Sequence, residues 1–403
     1  MITYFLSPEG NDGWSGSLSA PTRNRRNGPW ASLAGARDNL RALRAADKVS
    51  GPVTLQVQDG CYELRETVEY SHEDSHLQIK AAPRAHPVFD GGERLDGWTV
   101  GKRSGRTEWT LDLPDVAAGR WFFRSLFVNG RRAPRARFPK FAPEGQAVHK
   151  VLRIGDIENP EADNLFDGSS TFKPGQGDVE NWASLPEAEI VLLHYWIEER
   201  LPQPRLNPRT GWLSFARRSA FNLYESLTGS LENRELARYY VDNLFEALTE
   251  PGEWYLNRET GRLFYLPRRG ETPANTSVVA PRIHSFIRAS GRFFGDSTEA
   301  GDAHATAHLR ALELSGLTFR HADWFSPLAQ VPSFHQRHAM GRELPIGGSL
   351  QAASFVPGSV GFRAARDCAV RDCTIELAGL YGLEFGEGCR NCTAAGNRLR
   401  DLG

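Results

Sequence analysis

The stretch Cys368-Ala369-Val370-Arg371-Asp372-Cys373-Thr374-Ile375-Glu376-Leu377-Ala378-Gly379 superimposes without a gap on Cys392-Thr393-Ala394-Ala395-Gly396-Asn397-Arg398-Leu399-Arg400-Asp401-Leu402-Gly403, at an offset of 24 residues. Cys368 falls on Cys392, Ile375 on Leu399 and Gly379 on Gly403. Thr318-Phe319 falls on Thr374-Ile375 at an offset of 56, two coils plus a longer loop. A solenoid needs this pattern, because each coil buries its inner face only against its neighbours. A leucine-rich repeat has a comparable period, but its ladder of leucine and asparagine is missing. The repeat therefore predicts an all-β fold with a parallel β-helix over residues 286–403, Ile375 and Leu399 inside.

Upstream, short strands at Val53–Val57, Val68–Tyr70, Leu77–Lys80 and Val88–Phe89 keep the rhythm until Asp90-Gly91-Gly92 breaks it. Before them, Ser32 can cap a helix whose apolar positions are Leu33, Ala36, Leu40 and Leu43. An N-terminal helix there would plug the open end of a solenoid. Residues 1–96 thus read as a cap and the first coils. From 97 to 285 the texture changes to tryptophans, polar loops and alternating strands such as Glu189–Leu193, which suggests an inserted antiparallel β-sandwich-like domain. Its clearest element is a hairpin, Glu253–Leu256 and Arg262–Leu266, around a loop ending in Gly261.

Composition sets further bounds. The 403 residues carry 48 basic and 49 acidic side chains, a formal net charge of −1, so nothing favours a nucleic acid or an anionic membrane as partner. No run approaches the ~20 apolar residues of a membrane helix. The opening Met1-Ile2-Thr3-Tyr4-Phe5-Leu6 lacks the basic and apolar regions of a leader, so the expectation is a cytoplasmic protein, or a secreted one if a leader was trimmed. Cys389 and Cys392 form a Cys-x-x-Cys pair that tempts a zinc reading. The offset instead stacks Cys368 on Cys392 as an interior ladder, so no metal and no other cofactor is expected. No phosphate loop, nucleophile elbow or zincin motif is present.

Several segments resemble a known group. These are Tyr4–Asp12 with Trp30-Ala31-Ser32-Leu33, then Phe123–Ala133, then Tyr239–Leu248 followed by Pro251-Gly252-Glu253-Trp254-Tyr255, and last Asp367–Gly403. They are similar to β-helix carbohydrate-active enzymes, in particular family 141 glycoside hydrolases and their relatives. The resemblance implies a right-handed parallel β-helix with an inserted β-sandwich, and hydrolysis of glycosidic bonds by paired carboxylates, on substrates of the xylan- or fucose-containing type, with an oligo- or polysaccharide as partner. In those relatives the chain runs past the Asp-Leu-Gly motif, so the expectation is a chain truncated within its coils, with an apolar face exposed at Gly403.

Glycoside hydrolysis needs one carboxyl that donates a proton and one that is ionised. Asp401 is the first candidate: it follows the strand bearing Leu399 and shares a column with His321 and Leu377. An ordinary turn aspartate is an even alternative. Glu384 is the second, facing outward if Leu383 and Phe385 face in; a solvated strand glutamate is the bland counterpart. His321, Asp323 and Trp324, before the loop Phe325–Gly358, suit sugar binding, an indole for the C–H face beside polar groups. Tyr381 and, on the insertion, Trp196 and Glu246 complete the binding candidates. Tyr240, Asn243, Glu198 and Glu199 could belong to the same insertion wall, or only to its packing. The alternatives are a polysaccharide lyase on the same fold, which would want acidic Ca²⁺-binding clusters and an Arg or Lys base, and a non-catalytic glycan-binding β-helix protein.

Overall fold

The structure, a computed structural model, describes residues 2–140, 150–161, 164–227, 234–293, 305–324, 347–348 and 356–403. The chain is mostly β, and its strands divide into two kinds. Among the described residues the parallel strands form three larger sheets and one two-stranded pair, Leu309–Arg310 with Ala365–Arg366. The first runs in the order Ile2–Leu6, Val53–Val57, Leu77–Ala81, Glu313–Ser315, Ala369–Arg371, Thr393–Ala395. The second runs Cys61–Glu63, Val88–Asp90, Thr318–Arg320, Thr374–Glu376, Arg398–Arg400, and the third Val68–Tyr70, Ile287–Ser290, Gly358–Arg363, Tyr381–Phe385. From Val53 onward the chain visits first, second and third sheet in rotation.

Register follows the sequence repeat. Ile375 pairs with Leu399 and Val370 with Ala394, both at the 24-residue offset, while Phe319 pairs with Ile375 at 56. Period-two alternation sends one residue of each short strand inward. Along the second sheet that column reads Tyr62, Phe89, Phe319, Ile375, with ring centroids 5.0 and 5.4 Å apart. Each such ring or aliphatic side chain removed from water contributes roughly 1.5–3 kcal/mol, which is what holds one parallel strand layer on the next. Leu399 continues the column but is 49 % exposed, because no described residue covers its other side.

The helix forms where its cap predicts, over Leu33–Ala45, with the Ser32 hydroxyl accepting from the Gly35 N–H at 2.9 Å. Leu33, Ala36 and Leu40 join the coil core and cover the first strands. Asp12 fixes this junction: it accepts from the Ala31 and Ser32 N–H groups and from the Ser32 hydroxyl. Among the described residues no helix is long and apolar enough to cross a membrane.

Three antiparallel sheets are built by strands between Gly92 and Pro281. Glu189–His194 lies centrally in the largest, between Ile197–Pro202 and Arg238–Asp242. The hairpin strands are Trp254–Leu256 and Arg262–Tyr265, paired as the sequence predicts. Trp109, Trp254 and Tyr265 pack against Leu126, Val128 and Val278 of a facing sheet, in a core separate from that of the coil. This region is tied to the coil by polar contacts at its edges. The Arg124 N–H donates to Asp323 at 2.8 Å, and the Arg132 guanidinium donates to the Ala378 carbonyl at 3.1 Å.

Candidate functional site

A cleft of about 530 Å³ opens along this seam. The antiparallel side contributes Arg124, Arg132, Arg135, Glu198, Arg200, Tyr240 and Asp242, and the coil side Trp324, Gly379, Leu402 and Gly403. Its floor is ionic. Register places Glu189 directly opposite Asp242 on neighbouring strands, an arrangement that destabilises a sheet when like charges face each other unscreened. Here guanidiniums fill the space between them. Arg135 donates to Asp242 at 2.9 Å and to Glu189 at 3.4 Å, and Arg200 reaches both at 3.1 and 3.3 Å. Arg124 donates to the other Glu189 oxygen at 2.8 Å, and Arg200 also pairs with Glu198 at 2.9 Å.

These neighbours decide the charge states. Burial opposes the ionised form of Glu189, but Arg124, Arg135 and Arg200 together hold its carboxyl far below the usual range. Burial likewise works against the Arg200 cation, and Glu198, Asp242 and Glu189 more than offset it. Burial, then the nearby Glu198, pushes the Tyr240 phenol up to about 12, so it is a donor at neutral pH. Burial raises the Asp323 carboxyl despite N–H donors from Arg124 and Trp324.

Asp401 is not itself a lining residue; it precedes Leu402, which is, and the lining residue Arg132 donates to it through Nε at 2.9 Å. It has a left-handed backbone (φ 49°), as do Leu377 (54°) and His321 (63°), the residues beside it in the stack. The column foreseen in the sequence is thus a set of equivalent turns. Trp324 lines the cleft, with the guanidiniums of Arg124 and Arg200 over its ring at 5.2 and 5.4 Å.

The other candidates are placed elsewhere. Glu384 lies on the third sheet and accepts from the Gly358 N–H at 2.9 Å, whereas Asp401 follows the second, so the fold does not bring the two together in the cleft. His321 is buried, its Nδ1 paired with Asp90 at 2.8 Å, and it packs against Phe127. Asp323 is buried behind Trp324, where it holds the Arg124 backbone rather than facing the cleft. Tyr381 is exposed on the third sheet and Trp196 is exposed against Phe221. Glu246 is bound by the Ser184 N–H and hydroxyl. None of these six is among the lining residues. The loop Phe325–Gly358 lies mostly outside the described residues.

Sequence reasoning named Glu198 and Tyr240 as a wall and both line the cleft, but it passed over the arginines. The signal was available: Arg131-Arg132-Ala133-Pro134-Arg135-Ala136-Arg137 has four guanidiniums in seven residues. On antiparallel strands, in a nearly neutral chain, such a run must either meet carboxylates or line a polar surface.

No family model matches the chain, and neither does any curated protein. Among solved structures it is similar to one described as a glycoside hydrolase, at 22 % identity and a TM-score of 0.60, covering 94 % of this chain and 67 % of that one. A second, described as a complex of XylC with xylose, is 13 % identical with a TM-score of 0.35 and covers 100 % of this chain and 54 % of that one. The first likeness is one of fold. The second is too loose to carry any argument.

Proposed function

We propose that the chain hydrolyses a glycosidic bond held in the seam cleft, as part of a glycoside hydrolase. The body would be a right-handed parallel β-helix, residues 1–96 and 286–403, with a sandwich-like domain of residues 97–285 inserted. The observation that supports the reading is a cleft presenting an indole, a phenol and guanidiniums, one of which, Arg132, is paired with the adjoining carboxylate of Asp401. Polar groups and an aromatic ring converging on a concave surface are what a sugar-binding site needs. The fold likeness to a structure described as a glycoside hydrolase supports the same class. Asp401 takes the role of the ionised carboxylate. Glu384, the sequence candidate for the proton donor, lies outside the cleft on the third parallel sheet and takes no part in this arrangement. Substrates of the xylan- or fucose-containing type follow from the family resemblance.

The test is turnover of an aryl xyloside and fucoside panel. Asp401→Asn should reduce it by more than the ~10²–10⁴ of a general acid–base effect, with the melting temperature nearly unchanged. Retention of more than about a tenth of the activity would remove Asp401 from the mechanism, since that loss is well below what a catalytic carboxylate contributes. Products with an unsaturated, ultraviolet-absorbing end would move the reading to elimination, and binding without turnover to a glycan-binding protein.

A further inference from the structure

The ionic groups at the cleft balance: Arg124, Arg132, Arg135 and Arg200 face Glu189, Asp242, Glu198 and Asp401. They differ in what they leave free for a ligand. Glu189 and Asp242 are 1 % and 9 % exposed, and guanidiniums occupy both. Arg132 is spent on Asp401, the Ser125 hydroxyl and the Ala378 carbonyl. Glu198 is the exception. Period-two alternation along Ile197–Pro202 puts it on the same face as Arg200, and strand pairing sets that face beside Val191 and Tyr240. The opposite face, with Leu201, Leu192 and Val241, is core. Glu198 lines the cleft with its side chain 48 % exposed, and Arg200, at 2.9 Å, is its one ion-pair partner among the described residues. A carboxylate accepts at about four lone-pair positions, so a single guanidinium leaves most of them open.

Arg200 also fixes where this acceptor stands. Its guanidinium is anchored by Asp242 and Glu189 at 3.1 and 3.3 Å and lies over the Trp324 ring at 5.4 Å. Glu198 and Trp324, from the two sides of the seam, therefore meet the same guanidinium. Tyr240 supplies the complementary donor: the Arg137 guanidinium lies over its ring at 3.6 Å, and its hydroxyl keeps its proton at neutral pH. A held acceptor, a donor and an indole on one concave wall suit a sugar ring, whose hydroxyls both donate and accept. A hydroxyl that donates to a carboxylate makes a charge-assisted bond, about twice as strong as a neutral one. We propose that Glu198 is the specificity-determining residue of the cleft, accepting from neighbouring hydroxyls of an uncharged sugar while Tyr240 donates to another of its oxygens. The inference rests on the reading of the cleft as a saccharide site and names the group that selects the sugar. Glu198 binds; the bond-breaking carboxylate is a separate group.

The experiment removes hydroxyls from the ligand and the charge from Glu198 in one cycle. Wild type and Glu198→Gln, checked for folding by thermal melting, are titrated by calorimetry with a xylo-oligosaccharide, a fucoside, and forms of each that lack a single hydroxyl. At least one deoxy form of the better-binding parent should bind wild type about tenfold more weakly than that parent, the loss of one charge-assisted hydrogen bond. In Glu198→Gln the same deletion should cost less than about threefold, because the charged acceptor it served is gone. A purely structural effect of the substitution would weaken parent and deoxy forms alike. Deletion penalties that are equal in wild type and variant place the recognition elsewhere and overturn the assignment. Wild type that binds parent and every deoxy form equally overturns it without any variant. Binding of neither parent overturns the saccharide reading itself.

Discussion

Replacing Glu189 by Gln keeps the volume of the side chain and removes one charge from the floor of the cleft. Three guanidiniums would then share one buried carboxylate, Asp242, and the half-exposed Glu198. Removing one partner of a buried ion pair costs about 3–5 kcal/mol, because the remaining charge stays buried without compensation. If the antiparallel sheets unfold as a unit of 150–250 residues, that corresponds to a fall of about 6–20 °C in melting temperature. The effect also has a pH signature. The folded carboxyl of Glu189 lies below its unfolded value, so its stabilisation is present above the unfolded pKa of about 4.3 and is lost as pH falls toward the folded one. Urea unfolding of wild type and Glu189→Gln, followed by tryptophan fluorescence, should show a gap of about 3–5 kcal/mol at pH 7 that narrows below about pH 4. A gap under about 1 kcal/mol at pH 7, or one that stays constant down to pH 3, would refute the network as a stabilising element.

Two other substitutions test the supports of the site. Asp12→Ala removes three hydrogen bonds at the junction of helix and coil and should cost about 2–3 kcal/mol, read as a lower urea midpoint at unchanged slope; a change below about 0.5 kcal/mol would show the helix is held by its apolar face alone. His321→Leu should destabilise the chain by about 1–3 kcal/mol, because Asp90 loses a buried partner, and should leave saccharide affinity within twofold. A tenfold loss of affinity at unchanged stability would return His321 to the binding site.

Residues that repeat made the parallel strand pairing legible. Ile375 and Leu399 had to share a face because a 24-residue offset admits no other stacking of short strands, and the register agrees. Ser32 and Leu33–Leu40 announced their helix through cap and spacing, and Trp254–Leu256 with Arg262–Tyr265 announced a hairpin through its loop. Asp401 was legible as a turn residue for the same reason as the strands. The cleft was not. Glu189 and Asp242 are 53 positions apart in the sequence and Arg124 and Arg200 are 76 apart, and only the pairing of strands distant in sequence brings them to one floor. Local pattern fixes which face a side chain takes, whereas a charge network depends on which strands become neighbours. His321 and Glu246 show the converse: a polar residue after a strand and another in a family-like segment both suit a sugar on sequence grounds, and in the fold Asp90 holds the first and Ser184 the second.

The account's central claim is that the seam between the antiparallel sheets and the coil holds the saccharide, with Asp401 at the bond to be broken. Crystals of the Asp401→Asn chain soaked with the tightest-binding oligosaccharide test it most directly. The account predicts density for a sugar between Trp324 and Tyr240, with a glycosidic oxygen within hydrogen-bond reach of residue 401. A sugar seated instead in the hollow lined by Arg106, Thr249 and Arg268, or along the exposed Tyr381 strand, would contradict it.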